Sequence, residues 1–289
     1  MEENKEISAL LHLIDDPDDE VFSVVTDKII QFGKPIIPNL EHLWENTSDE
    51  NLQERIESLI HRLHFKELRE DFNHWVLSDD NDLLEGAILI ARYQFPDLDV
   101  QKIYAEIEKI RRSIWLELNS YLTTLEQINI ISKILYSHHG LKGTEISYDQ
   151  PELFFINKVL EGKKGNSITN GIIYRIMAEE LDIPIFAVNI PRQFVLAFFN
   201  ANYDPDDIIN EPQQSIELYI DSLSGHAFTY KDVENYFKRI SVNPVASYFK
   251  PISNKQIIRV LIDELSKCYS DPKYIYKQQE LTTLSAMLE

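Results

Sequence analysis

The chain has 289 residues, 44% hydrophobic and 11% aromatic, enough to pack one domain with helical additions or two domains. Its 48 acids against 28 bases give a formal net charge of −20, which repels phosphate backbones and argues against nucleic-acid binding through a broad basic face. No run approaches 18 apolar residues, so no membrane span is expected.

The first residues, MEENKEIS, are polar and acidic and do not read as a secretory signal. The single cysteine, Cys268, cannot form an internal disulfide, which fits a reducing cytoplasm. The acidity reads first as solubility. A basic protein partner is the sharper alternative.

Residues 5–77 read as helix after helix. Ile7, Leu10, Leu11 and Ile14 form a helical stripe. DDPDDE then supplies a turn, with Pro17 near the next helix start. VFSVVTDKIIQF ends at Gly33, and GKPIIPNLEHLWEN opens another helix. SDENLQERIESLIHRL follows, with Ser48 as the expected cap and acids in the first turn. The alternation resembles HEAT-like repeats, about one and a half units without a clean period. A solenoid needs about three, so an ordinary helical subdomain fits equally well.

LLEGAILIARY (83–93) and residues 100–136 continue the helices. Ile103, Ile107, Ile110, Ile114 and Leu118 recur in three- and four-residue steps. Thr123 or Thr124 with Glu126 or Gln127 forms a capping box, and that helix ends near Gly140. Residues 140–152 read as a loop, and PELFFINKVLEG as a short helix ending at Gly162.

The block at 162–229 carries the chemistry. It runs Gly-rich turn, helix, strand, strand, strand ending in Asp. Gly165 and Asn166 make the turn, Asn166 or Ser167 is the cap, and the helix runs from about 167 to 181. A thiol at such a helix start would ionise easily. Ser167 and Thr169 stand there instead, and a hydroxyl needs an adjacent base to become a nucleophile. PRQFVLAFF is apolar on both faces, so it is a central strand. Gln193 at its entry can hydrogen-bond but cannot take a proton near neutral pH. ELYID ends in Asp221, which could orient a base or simply form the following turn. His226 lies across that turn and reads as outside the site.

Other histidines make weak constellations. His138 and His139 diverge by about 100° on a helix, and His61 and His64 lack further ligands. No Walker loop, dinucleotide fingerprint or zinc ribbon is present. No cofactor and no metal are expected. YKDVENYFKRI, SNKQIIRVLIDELSKCY and YKQQELTTLSAML return the chain to helix, the last two spaced as a helix-turn-helix pair.

Through FINKVLEGKKGNSIT, IIYRIMAEELDIPIFAVNIPRQFVLAFF and YIDSLSGHAFT, residues 97–270 resemble the transglutaminase-like family of the SirB kind. That family combines a transglutaminase-like core with tetratricopeptide-like C-terminal helices. It lacks the cysteine of true transglutaminases. At the matching positions the family serine is Thr169, the usual proline is Ser167, the histidine is Gln193 and the glycine of LGLP is Asp182.

The expected fold is α+β: a helical domain at 1–80, a papain/transglutaminase-like core with a small antiparallel sheet at 83–240, and C-terminal helices at 241–289. The expected function is non-catalytic: a pseudo-enzyme that binds a protein or peptide in the old active-site groove, in a regulatory role. The alternative is a hydrolase or acyltransferase using Ser167 or Thr169 with Asp221 and a base the sequence does not supply.

Overall fold

The stripes read between residues 5 and 77 are helices in the computed structural model of the chain, which describes residues 2–15, 18–200, 203 and 211–289. They are α1 (Glu2–Leu13), α2 (Asp19–Phe32), α3 (Ile37–Asn46) and α4 (Glu50–Leu77). Their apolar faces meet in one cluster that includes Leu10, Ile14, Ile29, Leu40, Ile56 and Leu63. Pro17 lies outside the described residues, and α2 is capped by the Asp18 carboxylate, which accepts from the Glu20 N–H. Asp49, not Ser48, caps α4: its carboxylate accepts from the Asn51 and Leu52 amides at 2.8 and 3.2 Å. A carboxylate both accepts these bonds and carries the charge that the helix N-terminus favours.

These helices belong to one compact unit, Met1–His74 with Arg92–Pro96, and the second is Trp75–Ala91 with Asp97–Glu289. After α5 (Leu83–Gln94) and α6 (Val100–Trp115), α7 (Thr124–Ser132) starts at the expected capping box, Thr123 with Glu126. It runs on into a wider π-helical turn, Lys133–His138. The loop at 140–152 contains a strand that periodicity did not show. β1 (Lys142–Gly143) pairs in parallel with β2 (Lys164–Gly165) on either side of α8 (Ile156–Gly162). The expected helix at 151–162 is broken: Pro151–Phe154 is a 3-10 turn, and Phe155 is extended before α8.

α9 (Ser167–Glu179) begins where the Gly–Asn turn predicts. Then come β3 (Ile185–Val188), β4 (Val195–Phe199), β5 (Ile216–Asp221) and β6 (Ala227–Phe228), an antiparallel meander in chain order. All five residues of β4 are buried, as expected for a central strand. Val195, Ala197 and Phe199 share one face with Tyr219 and the residues Val233 and Phe237 of α10 (Tyr230–Ile240). By the two-residue period, Leu196 and Phe198 point to the other face, and α9 packs on β3 and β4. Each buried Val, Leu or Phe is worth about 1.5–3 kcal/mol over exposure, so this strand is fixed from both sides. α11 (Asn254–Ser266) packs on α9 and on α12 (Ile275–Ala286). The architecture is α+β. Among the described residues no helix is long and apolar enough to cross a membrane.

Candidate functional site

The site is built around the start of α9. Pairing of β2 with β1 holds Gly165, and the next residue, Asn166, is fully buried. Its side-chain oxygen accepts from the Ile168 and Thr169 amides, both at 3.0 Å. Two of the free N–H groups at this helix end are therefore already satisfied. Asn166 is the cap, and Ser167 is the first helical residue, half-buried, on the wall of a cleft.

Two adjoining compartments of about 570 and 550 Å³ open there. Both are lined by Ile146, Ser167, Arg192, Gln193 and Phe194. The first adds Glu145, Asp221 and Leu223; the second adds Val188, Ile190, Ile252, Val260 and the Glu264–Lys267 pair. Three of the four candidate residues, Ser167, Gln193 and Asp221, thus share one cleft wall. Thr169 does not join them. It is 1% exposed, and its hydroxyl donates to the Leu153 carbonyl at 2.9 Å.

Gln193 is exposed at the end of a tight turn in which its amide donates to the Ile190 carbonyl at 3.2 Å. The turn is held from α10 by the Tyr236 hydroxyl, which donates to the Pro191 carbonyl at 2.8 Å. Arg192 occupies its third position with φ +62°, a left-handed conformation that non-glycine residues rarely adopt.

Asp221 ends β5, and its carboxylate is engaged within its own turn. It accepts from the Leu223 amide at 3.1 Å and from the Ser224 hydroxyl. Three further side chains fasten the turn. Ser222 donates to the Phe194 carbonyl at 3.0 Å, Tyr136 to the Ser222 carbonyl at 2.6 Å, and Ser132 to the Gly225 carbonyl at 2.7 Å. Burial raises the Tyr136 phenol far above its usual range, so it remains a donor. His226 is exposed and is not on the cleft wall.

Among the described residues, neither compartment is lined by a histidine or a cysteine. Cys268 lies beside the cleft residue Lys267. Burial, followed by the acids Glu152, Glu264 and Asp149, pushes its thiol up to about 12. His139 is largely buried, its Nδ1 4.0 Å from a Glu106 oxygen, and desolvation lowers its pKa. Among the described residues no group of three or more His, Cys, Asp or Glu is placed to hold a metal ion. The wall can therefore hold a ligand by hydrogen bonds from Gln193 and Ser167, by the Arg192 charge and by apolar contact. Among the described residues, neither compartment sets a histidine beside Ser167 to act as its base.

Sequence reasoning missed Arg192, Glu145 and Phe194 as cleft residues. Only Arg192 carried a signal, as a cation beside Gln193 in the strand-entry turn. Ser132 and Tyr136 sit in a helical stretch whose periodicity shows only packing.

Residues 101–263 match the family model described as the transglutaminase-like superfamily. Protein SirB1 of Salmonella typhimurium strain LT2 is 24% identical over 187 residues, 63% of this chain and 65% of that protein. In that match the chain spans slightly less than two thirds of its relative's length. The UPF0162 protein YchA of Escherichia coli strain K12 is 24% identical over 211 residues, covering 72% and 73% of the two chains. A UPF0162 protein of Xylella fastidiosa strain Temecula1 is 26% identical over 127 residues, 43% of this chain and 45% of that protein. No solved structure matches the chain. With more than half of its length matched and the helix–strand–strand order in place around the cleft, the chain belongs to the transglutaminase-like superfamily.

Proposed function

We propose that this chain is a non-catalytic, transglutaminase-like binding module that takes an extended peptide segment of a protein partner into its groove. The observation that carries this reading is the composition of the groove wall. Ser167, Gln193 and Asp221 line it together, with no histidine or cysteine on the wall among the described residues. Positioned acid–base catalysis contributes typically about 10²–10⁴ in rate. Gln193 cannot supply it, and the Asp221 carboxylate is engaged by Leu223 and Ser224. What remains suits recognition: an amide that both donates and accepts, a hydroxyl, a guanidinium and an apolar floor.

The test compares the wild type with Ser167→Ala in amine incorporation into glutamine peptides and in ester hydrolysis. Both proteins are expected at the buffer rate. A wild-type rate about 100-fold or more above that of Ser167→Ala, on the scale of general-base catalysis, would establish a serine hydrolase or acyltransferase instead.

A further inference from the structure

We infer that Arg192 is the anchor of the groove and that the bound segment is an extended peptide carrying an internal acidic side chain opposite it. This rests on the groove-binding reading above and names the ligand class.

Arg192 lines both compartments, so it stands at their junction. It is exposed, and among the described residues nothing accepts from its guanidinium. Two of the three acids on the cleft walls, Asp221 and Glu264, are engaged by other groups. Asp221 accepts from Leu223 and Ser224. Glu264 accepts from Lys267 at 2.5 Å and from the Tyr148 hydroxyl at 2.8 Å. A free guanidinium with a planar fork of donors is the side chain best suited to grip a carboxylate through two parallel bonds.

The compartments on either side set the neighbours of that acid. Arg192 lines both, so a segment gripped by it has room on either side. That favours an acidic side chain within the segment over a terminal carboxylate. The first compartment holds Glu145, exposed and likewise without a cation among the described residues. It suits a Lys or Arg of the ligand. The second is walled by Val188, Ile190, Ile252 and Val260 and suits an apolar side chain. The segment therefore reads basic, acidic, apolar across the groove.

The probe is a positional-scanning library of N-acetylated, C-amidated octapeptides presented to the full-length wild type, with a free-acid library in parallel. Enrichment of Asp or Glu at one position is expected, with a basic flank on one side and an apolar flank on the other. Arg192→Glu should reverse that position to Lys or Arg and weaken the best wild-type peptide at least tenfold. Arg192→Lys should keep the acidic preference. Because Arg192 is exposed, the variants should fold, and their thermal unfolding reports this directly. Peptide binding without an acidic preference, with one unchanged in Arg192→Glu, or only by free-acid peptides, overturns the anchor and leaves groove binding intact. Absence of any peptide tighter than about 1 mM removes both.

Discussion

Three polar side chains within four residues at the start of α9 have three different roles. Asn166 caps, Ser167 faces the cleft, and Thr169 is buried against the Leu153 carbonyl. Their substitutions should therefore separate. Asn166→Ala removes the acceptor for two amides and should cost about 0.5–2 kcal/mol, the range for lost caps. Thr169→Val keeps the shape but leaves a buried carbonyl without its donor, and about 1–3 kcal/mol should go. Ser167→Ala should stay within about 0.5 kcal/mol, as at surface positions. Urea midpoints at constant slope measure all three, and a Ser167→Ala as damaging as Thr169→Val would show that Ser167 is structural. The turn itself was legible in Gly165–Asn166. Which hydroxyl faces the cleft was not, because Thr169 is claimed by Leu153, 16 residues away. Asp182, where the resemblance expects glycine, lies at φ +53°. That conformation explains the family preference, and Asp is among the residues that tolerate it. At Cys268, a thiol pushed up to about 12 holds on the order of a thousandfold less thiolate at pH 7.5 than a free cysteine of pKa about 8.5. Iodoacetamide labelling should be slow and should rise about tenfold per pH unit without a plateau near pH 9. The sign for stability follows. The fold keeps the neutral thiol where the unfolded chain ionises, so this contribution is present below about pH 8.5 and lost as pH rises toward 12. A labelling plateau below pH 9 would show an activated thiol.

Among the elements, those with long apolar periods were legible and those made by close approach were not. β4 reads as central from VLAFF alone, and α6 and α11 from their stripes. β1 is two residues in a stretch that reads as loop, and it exists because Gly143 lets the backbone approach the Asp221 turn. A β-carbon at Gly143 would lie 2.1 Å from the Leu223 carbonyl oxygen. Backbone cannot swing aside as a side-chain tip can. Gly143→Ala should therefore cost about 1–3 kcal/mol by overpacking. It should also weaken any groove ligand, since Leu223 and Asp221 line the first compartment. Gly171 is the milder counterpart: its added methyl would meet the Phe194 ring at 2.4 Å and Ser222 Cβ at 3.2 Å. The gain in helix propensity, about 1 kcal/mol, opposes the crowding. Gly171→Ala should accordingly lose less stability than Gly143→Ala while still shifting Phe194 on the cleft wall. Denaturation of both variants beside a peptide titration ranks them, and equal losses would contradict the distinction between backbone and side-chain obstacles.

At the scale of the whole molecule, the sequence placed a division in the polar stretch SDDND at 78–82, where chain punctuation is strongest. The compact units divide earlier, between His74 and Trp75, inside α4. Punctuation marks where backbone direction changes; packing decides which unit a residue serves. Trp75 is 2% exposed, and its indole N–H donates to the Asp82 carbonyl at 2.8 Å. A β-carbon on Gly86 would lie within 3 Å of both the Trp75 ring and Ile258 of α11, so all three meet in the second unit. The first unit buries its stripes in its own cluster, from Leu10 to Leu63. Two truncations follow from this. A fragment beginning at Trp75 should retain a cooperative thermal transition, because it keeps the sheet, α9 and the Trp75 contact. A fragment beginning at Leu83 loses the indole from a site closed by Gly86 and Ile258. Deleting a buried Phe or Trp side chain typically costs about 3–5 kcal/mol, a large share of the 5–15 kcal/mol that holds a domain together. That fragment should unfold at a clearly lower urea concentration or show no cooperative transition. Equal midpoints for the two fragments would place the boundary back at the polar stretch, and loss of cooperativity in both would show that the second unit needs the first to fold.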